Sequence, residues 1–148
     1  MVTDRIEREI AIAAPPQRVW EVVTRAEHLG AWLGDAGAEI DLRPGGRLVL
    51  HWKDHGTAHG RVETVEAYST FAFRWVTFGG DEPTDDNSTL VEFTLTPQDG
   101  GTRLRVVETG FAGLAVAPDQ QEKHLGENTE GWRLKLDELR TYSESVHA

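Results

Sequence analysis

The feature that most constrains the fold is a series of short segments, between residues 38 and 109, in which apolar and polar residues alternate. The clearest is VEFTLT at positions 91–96, where every second residue is apolar. Alternation of period two places all apolar side chains of a strand on one face. One apolar and one polar face are typical of an antiparallel sheet that is covered on one side only.

The same criterion predicts seven strands, separated by glycine-, proline- and aspartate-rich turns. The turns include Pro44-Gly45-Gly46 and Pro97-Gln98-Asp99-Gly100-Gly101, residue types that punctuate strands. The segment Phe78–Asn87 predicts a loop, and its acidic part at 81–86 predicts a solvated stretch or a lid. The predicted strands are Arg5–Ala13, Ala38–Leu42, Leu48–Trp52, Thr57–Ala67, Phe71–Val76, Leu90–Thr96 and Arg103–Thr109.

Helical spacing appears in three places. Pro15-Pro16 ends the first strand and opens a helix that is expected to run to about Ala26. A second short helix is expected over Glu27–Leu33. A long helix is expected over Pro118–Val146, where Trp132, Leu136 and Leu139 recur at spacings of three and four, although Gly126 and Gly131 should weaken its first half.

The order of elements predicts one α+β domain over residues 1–148. A sheet of six to seven strands and a single long helix must each bury an apolar face, so the sheet is expected to curl around the helix. The two short helices after the first strand then close one end. This arrangement is a helix-grip fold.

Composition narrows the functional classes. The chain has no cysteine, which excludes disulfides and thiolate metal sites, and its net charge of -10 disfavours nucleic acid and anionic membranes as partners. Neither a signal peptide nor an apolar run of about 18 residues is present, so a cytoplasmic location is expected.

A set of motifs spread along nearly the whole chain carries a resemblance to a known family: Ile10–Trp20, Trp32, Pro44–Arg47, Phe71–Trp75, Val91–Pro97, Gly101–Leu104, Thr109–Phe111, Gly131-Trp132, Leu136 and Leu139. In the order of these motifs, the chain resembles the START-like superfamily (birch-pollen-allergen-like, SRPBCC), and within it the branch named after the C-terminal domain of the heat-shock protein 90 ATPase activator. The resemblance implies a helix-grip fold. It also implies one of three activities: binding of apolar small molecules, cyclase- or hydrolase-like catalysis on polyketide-like substrates, or partnership with a chaperone.

A ligand cavity between sheet and long helix is the first functional hypothesis. An aromatic-lined concavity suits a planar apolar ligand, and the chain has five tryptophans. The alternative is that the same side chains fill the core. The candidate ligand-binding residues are Trp32, Leu33, Leu50, Trp52, Phe73, Trp75, Phe93, Trp132 and Leu136.

Glu108 is the candidate catalytic residue. Period two along its strand places it on the inner face with Leu104 and Val106. A carboxyl group that faces an apolar cavity suits a general acid or base. The alternative is a hydrated or arginine-paired residue at the end of the strand.

Neither a metal nor a cofactor is expected. His51, His55 and His59 are four residues apart, but this spacing brings ligands together only on a helix, and the segment reads as strand, turn and strand. A solvated turn is therefore the preferred interpretation.

Three functions follow from these residues and the resemblance. The chain is expected to bind an apolar or aromatic small molecule, as a monomer or a homodimer. The alternatives are a cyclase- or hydrolase-like enzyme that uses Glu108, on a polyketide-like or lipid-like substrate, and a chaperone-associated interaction module.

Overall fold

Seven strands form one antiparallel sheet in the computed structural model, which describes residues 4–54, 56–77 and 82–145. The strands lie in the order β1-β7-β6-β5-β4-β3-β2, so only the first strand pairs with a partner distant in sequence. The strands are β1 Arg5–Ile12, β2 Ala38–Ile40, β3 Arg47–Trp52, β4 Gly56–Glu66, β5 Thr70–Val76, β6 Ser88–Gln98 and β7 Gly101–Thr109. The helices are α1 Pro16–Thr24, α2 Ala26–Trp32 and α3 Pro118–Ser145, with a short 3-10 helix at Phe111–Gly113.

The sheet is curved and holds α3 against its inner face, which confirms the predicted α+β helix-grip fold. A β-bulge between Val62 and Thr64 shifts the register of β4 against β5. An extra residue of this kind bends a strand and increases its twist. Close backbone contact also helps the strands to pack: a Cβ at Gly60 would lie 2.5 Å from the Arg74 carbonyl oxygen.

The two short helices close one end of the sheet, as the sequence predicts. The fixed φ of proline suits the first helical turn, and α1 begins at Pro16. Arg25 alone, in extended conformation, separates α1 from α2. The indole of Trp32 donates a hydrogen bond of 2.8 Å to the Val22 carbonyl, which fixes α2 to α1.

The helix α3 runs without interruption through Gly126 and Gly131, although the sequence led us to expect a weak first half. Contacts with the rest of the chain compensate for the low helix propensity of glycine. At its start, the Gln121 amide donates to the carbonyls of Ala112 and Leu114, at 3.2 and 2.9 Å. Near its end, the Arg140 guanidinium donates to the Ala11 carbonyl at 3.1 Å.

Several element boundaries differ from expectation. The strand β2 ends at Ile40 rather than Leu42, because the chain turns before Gly46, where a Cβ would lie 1.9 Å from the Asp41 carbonyl oxygen. The strand β6 is longer than expected, and the 3-10 helix after Gly110 was not predicted. The predicted loop at 78–87 falls partly outside the described residues, as does the last residue of the predicted long helix.

Aromatic rings fill the centre of the space between sheet and helices. Phe71 and Phe93 stack with ring centroids 6.4 Å apart, and Trp32 meets Phe93 edge-on at 6.3 Å. These three side chains and Phe73 are almost completely buried. None of the helices in the described part of the chain is long and apolar enough to cross a membrane.

Two leucines of α3 test the packing of the helix. Leu139 is fully buried, whereas Leu134 is 51% exposed. We expect Leu139→Ala to lower the free energy of unfolding by about 2–5 kcal/mol, because it leaves a cavity in the core. Leu134→Ala should change it by no more than about 0.5 kcal/mol. Urea denaturation of both variants measures the difference, and equal effects would contradict this placement of the helix.

Candidate functional site

An open cleft lies between the first half of α3 and the strands β3, β4 and β5. It has a smaller compartment of about 110 Å³ and a larger one of about 540 Å³. The residues that line both compartments are Trp52, Trp75, Glu127, Asn128 and Gly131. Leu33, Trp132 and Lys135 complete the smaller compartment, and Thr57, Ala58, Val76, Thr77 and His124 complete the larger one.

Trp52 forms one wall of the cleft. Alternation along β3 directs it to the inner face of the sheet, in phase with Leu48 and Leu50. Its indole N–H donates a hydrogen bond of 2.9 Å to the Leu33 carbonyl, just after the end of α2. Trp52 is therefore fixed at two points, by its backbone in β3 and by the hydrogen bond of its indole N–H.

Trp75 and Trp132 form a second wall. Trp75 comes from β5 and Trp132 from α3, and their rings stack with centroids 5.9 Å apart and an interplanar angle of 27°. Trp132 is 2% exposed, whereas Trp75 is only half-buried. The pair thus joins the sheet to the helix and offers part of its surface to the cleft.

The carboxylate of Glu108 lies behind this wall and is fully buried. Its Oε1 accepts a hydrogen bond from the Trp132 indole at 2.7 Å. Its Oε2 accepts one from the Trp75 indole at 2.9 Å and one from the Thr89 hydroxyl at 2.5 Å. The Asn128 amide lies within 3.2 and 3.0 Å of the two oxygens.

Every one of these four partners is a neutral donor. A buried carboxylate without hydrogen bonds would be very costly, so the donors are what allow it to remain in the core. In return, the carboxylate fixes both indole rings and the Asn128 amide, and all three of these side chains line the cleft. Glu108 itself does not line either compartment.

The predicted ligand-binding residues fall into two groups. Leu33, Trp52, Trp75 and Trp132 line the cleft. Trp32, Leu50, Phe73, Phe93 and Leu136 belong to the buried core and line neither compartment. Contact with a ligand stays a prediction for all nine.

Sequence reasoning missed nine residues that line the cleft, five of them on α3. Those on α3 are His124, Glu127, Asn128, Gly131 and Lys135, and the others are Thr57, Ala58, Val76 and Thr77. One signal was available. Asn128 lies four residues before Trp132 and eight before Leu136, so it shares the buried face of the helix. An asparagine at a core-facing helical position needs a polar partner, and Glu108 is that partner.

Of the three histidines that the sequence places four residues apart, His51 and His59 line neither compartment of the cleft. His51 contacts Thr57 and Glu39 at 3.1 and 3.2 Å, and His59 contacts Arg47 at 3.4 Å. His55 lies outside the described residues. Within the described ranges, no group of three or more histidine or acidic side chains is arranged to hold a metal ion.

The curved sheet, the long helix that it holds and the aromatic cleft between them together define a START-like protein. The chain belongs to the family of Activator of Hsp90 ATPase homolog 1-like proteins, whose model matches residues 13–144. The resemblance inferred from the sequence is thereby confirmed. A search of curated proteins finds no match.

Solved structures show the same fold. Protein MLL2253 from Mesorhizobium loti is 25% identical, with a TM-score of 0.80 over 97% of this chain and 99% of that one. The Aha1 dimer from Colwellia psychrerythraea is 17% identical, with a TM-score of 0.75 over 99% of this chain and 100% of that one. DynU16, from the dynemicin biosynthetic locus, is 23% identical, with a TM-score of 0.74 over 97% of this chain and 48% of its own.

The polar cluster around Glu108 predicts a large cost for a small chemical change. Glu108→Gln preserves the shape of the side chain but turns one of its two acceptor oxygens into an amide donor, which then faces two or three of the four donors. We expect the free energy of unfolding to fall by about 1–3 kcal/mol. Glu92→Gln in the neighbouring strand β6, where the side chain is exposed, should be nearly neutral. Chemical denaturation measures both, and equal stability of the two variants would refute a tightly satisfied cluster.

Proposed function

We propose that this chain binds an apolar or aromatic small molecule in the cleft between sheet and α3. The observation that carries the proposal is the open cleft with Trp52 and Trp75 on both of its compartments. The larger compartment, about 540 Å³, is of the size that small-molecule sites usually have, roughly 300–1,000 Å³. Exposed aromatic surface in a concavity favours a planar apolar partner.

Preorganisation supports the same conclusion. The indole of Trp52 is tied to Leu33, and those of Trp75 and Trp132 are tied to Glu108. A ligand that enters between such rings has few side chains to immobilise, so less of its interaction energy is lost to ordering. The core residues behind the cleft are already packed, and the ligand need not complete the fold.

The relatives are compatible with the binding of a small molecule, but they do not identify the ligand. DynU16 comes from a biosynthetic locus, which suits a role with small molecules, and the chain spans about half of that protein. The Aha1 structure is a dimer, so a homodimeric state fits this chain as well. A cytoplasmic location and a chaperone partner stay predictions.

Catalysis with Glu108 as acid or base also stays a prediction. A substrate in the cleft would reach the carboxylate only after one of its hydrogen-bond donors moved aside. Asn128 is the donor that would have to move, because it lines the cleft and binds both oxygens of Glu108. Binding needs no such rearrangement, and for that reason we place it first.

Two glycines of α3 provide a matched test. A Cβ would meet no atom within 4 Å at either Gly126 or Gly131, yet only Gly131 lines the cleft. Leucine is a better helix former than glycine by up to about 1 kcal/mol, so both Gly→Leu variants should fold at least as stably as the parent. The difference between them therefore reports on the cleft alone.

Tryptophan fluorescence during titration with polyketide, flavonoid and fatty-acid libraries gives the measurement. We expect compounds that bind the parent to bind Gly126→Leu equally well and Gly131→Leu at least tenfold more weakly. Equal binding to both variants would place the ligand elsewhere. If no compound binds the parent, while pull-down captures a chaperone, the interaction module becomes the better account.

A further inference from the structure

Two carboxylates, one in the cleft and one behind its wall, form no ion pair with the described residues. Glu127 is exposed, lines both compartments and makes no ion pair within the described ranges. Glu108 lies behind the wall, and its four partners are all neutral. We infer that the ligand of this cleft is an organic cation, an apolar body that bears a quaternary ammonium or protonated amine. This inference rests on the proposed binding function and specifies its ligand class.

The half-buried rings of Trp52 and Trp75 are the aromatic surfaces of the cleft that are open to such a group. A cation placed over the face of an indole ring is attracted by the negative charge density of the ring. Trp75 and Trp132 both donate their N–H groups to the Glu108 carboxylate. Donation to an anion polarises the donor, which makes the ring faces more negative. The buried carboxylate therefore strengthens the attraction of the wall for a positive ligand without touching it.

The carboxylate of Glu127 offers a direct contact to the positive charge of the ligand. It lies on α3 one turn before Gly131 and lines both compartments. The negative charge of this carboxylate attracts an alkylammonium group, which the neighbouring aromatic faces also attract. An apolar neutral ligand would gain nothing from this carboxylate and would have to leave it hydrated.

The lysine at the cleft already has an acidic partner. Lys135 lines the smaller compartment, but its ammonium lies 2.8 Å from the Glu138 carboxylate. His124 lines the larger compartment. The whole chain has a net charge of -10, so its long-range field also draws cations towards the surface.

Two molecules of the same shape test the inference. Choline and 3,3-dimethylbutan-1-ol differ in that a positively charged nitrogen in one replaces a carbon in the other. The indole N–H resonances of Trp75 and Trp132 report binding even when it is weak. At low ionic strength we expect choline to bind at least about threefold more tightly than the neutral alcohol, as a cation–aromatic contact of this kind gives.

Two glutamates of α3 provide the matched variants. Glu127→Gln and Glu122→Gln remove the same charge from exposed positions of one helix, but Glu122 does not line the cleft. We expect Glu127→Gln to weaken choline binding by about two- to fivefold, in keeping with an exposed ion pair, and to leave the neutral alcohol unchanged. Glu122→Gln should leave both unchanged.

The outcomes separate this inference from the proposed function. The inference of a cationic ligand is wrong if the alcohol binds as tightly as choline, or if both Gln variants weaken the binding of choline equally. The proposal that the cleft binds small molecules then still stands. The same follows if library compounds bind and choline does not. If neither isostere nor any library compound binds the parent, both proposals are wrong.

Discussion

The burial of one carboxylate holds the candidate site together. Glu108 on β7 accepts hydrogen bonds from Trp75 on β5, Thr89 on β6, and Asn128 and Trp132 on α3. A charge in the core is tolerated only where its hydrogen-bonding capacity is filled, and every donor that fills it comes from another element. The position of the long helix against the sheet and the orientation of the two stacked indoles are thus coupled to a single side chain.

Much of the architecture could be predicted from local pattern. Period-two alternation fixes which face of a strand is apolar, and it correctly placed the side chain of Glu108 on the inner face with Leu104 and Val106. The punctuation of the chain by glycine and proline located the turns. Boundaries were less accurate: β2 ends early because the backbone around Gly46 turns back on Asp41, a close approach that the alternation of residues does not encode.

The candidate site was less accessible to prediction, because it depends on how α3 lies across the sheet. Alternation marks Trp52, Phe73 and Trp75 alike as inward-facing residues. Only the three-dimensional arrangement separates Phe73, which is fully buried, from the two tryptophans at the open end of the sheet. The partners of Glu108 were hidden for the same reason, since Asn128 and Trp132 meet it through a crossing of helix and strand that no spacing rule encodes.

The strand order has a consequence for how copies of this chain meet at high concentration. An open sheet exposes two edges, and unpaired backbone groups at such edges invite other chains to add strands. Here one edge is β2, which is only three residues long, and the other is β1, where Arg5, Glu7, Arg8 and Glu9 place charge along the exposed strand. Short edges and charged edges both discourage this kind of growth. The chain can therefore keep its sheet open around a helix, with one end accessible, and still resist edge-to-edge aggregation.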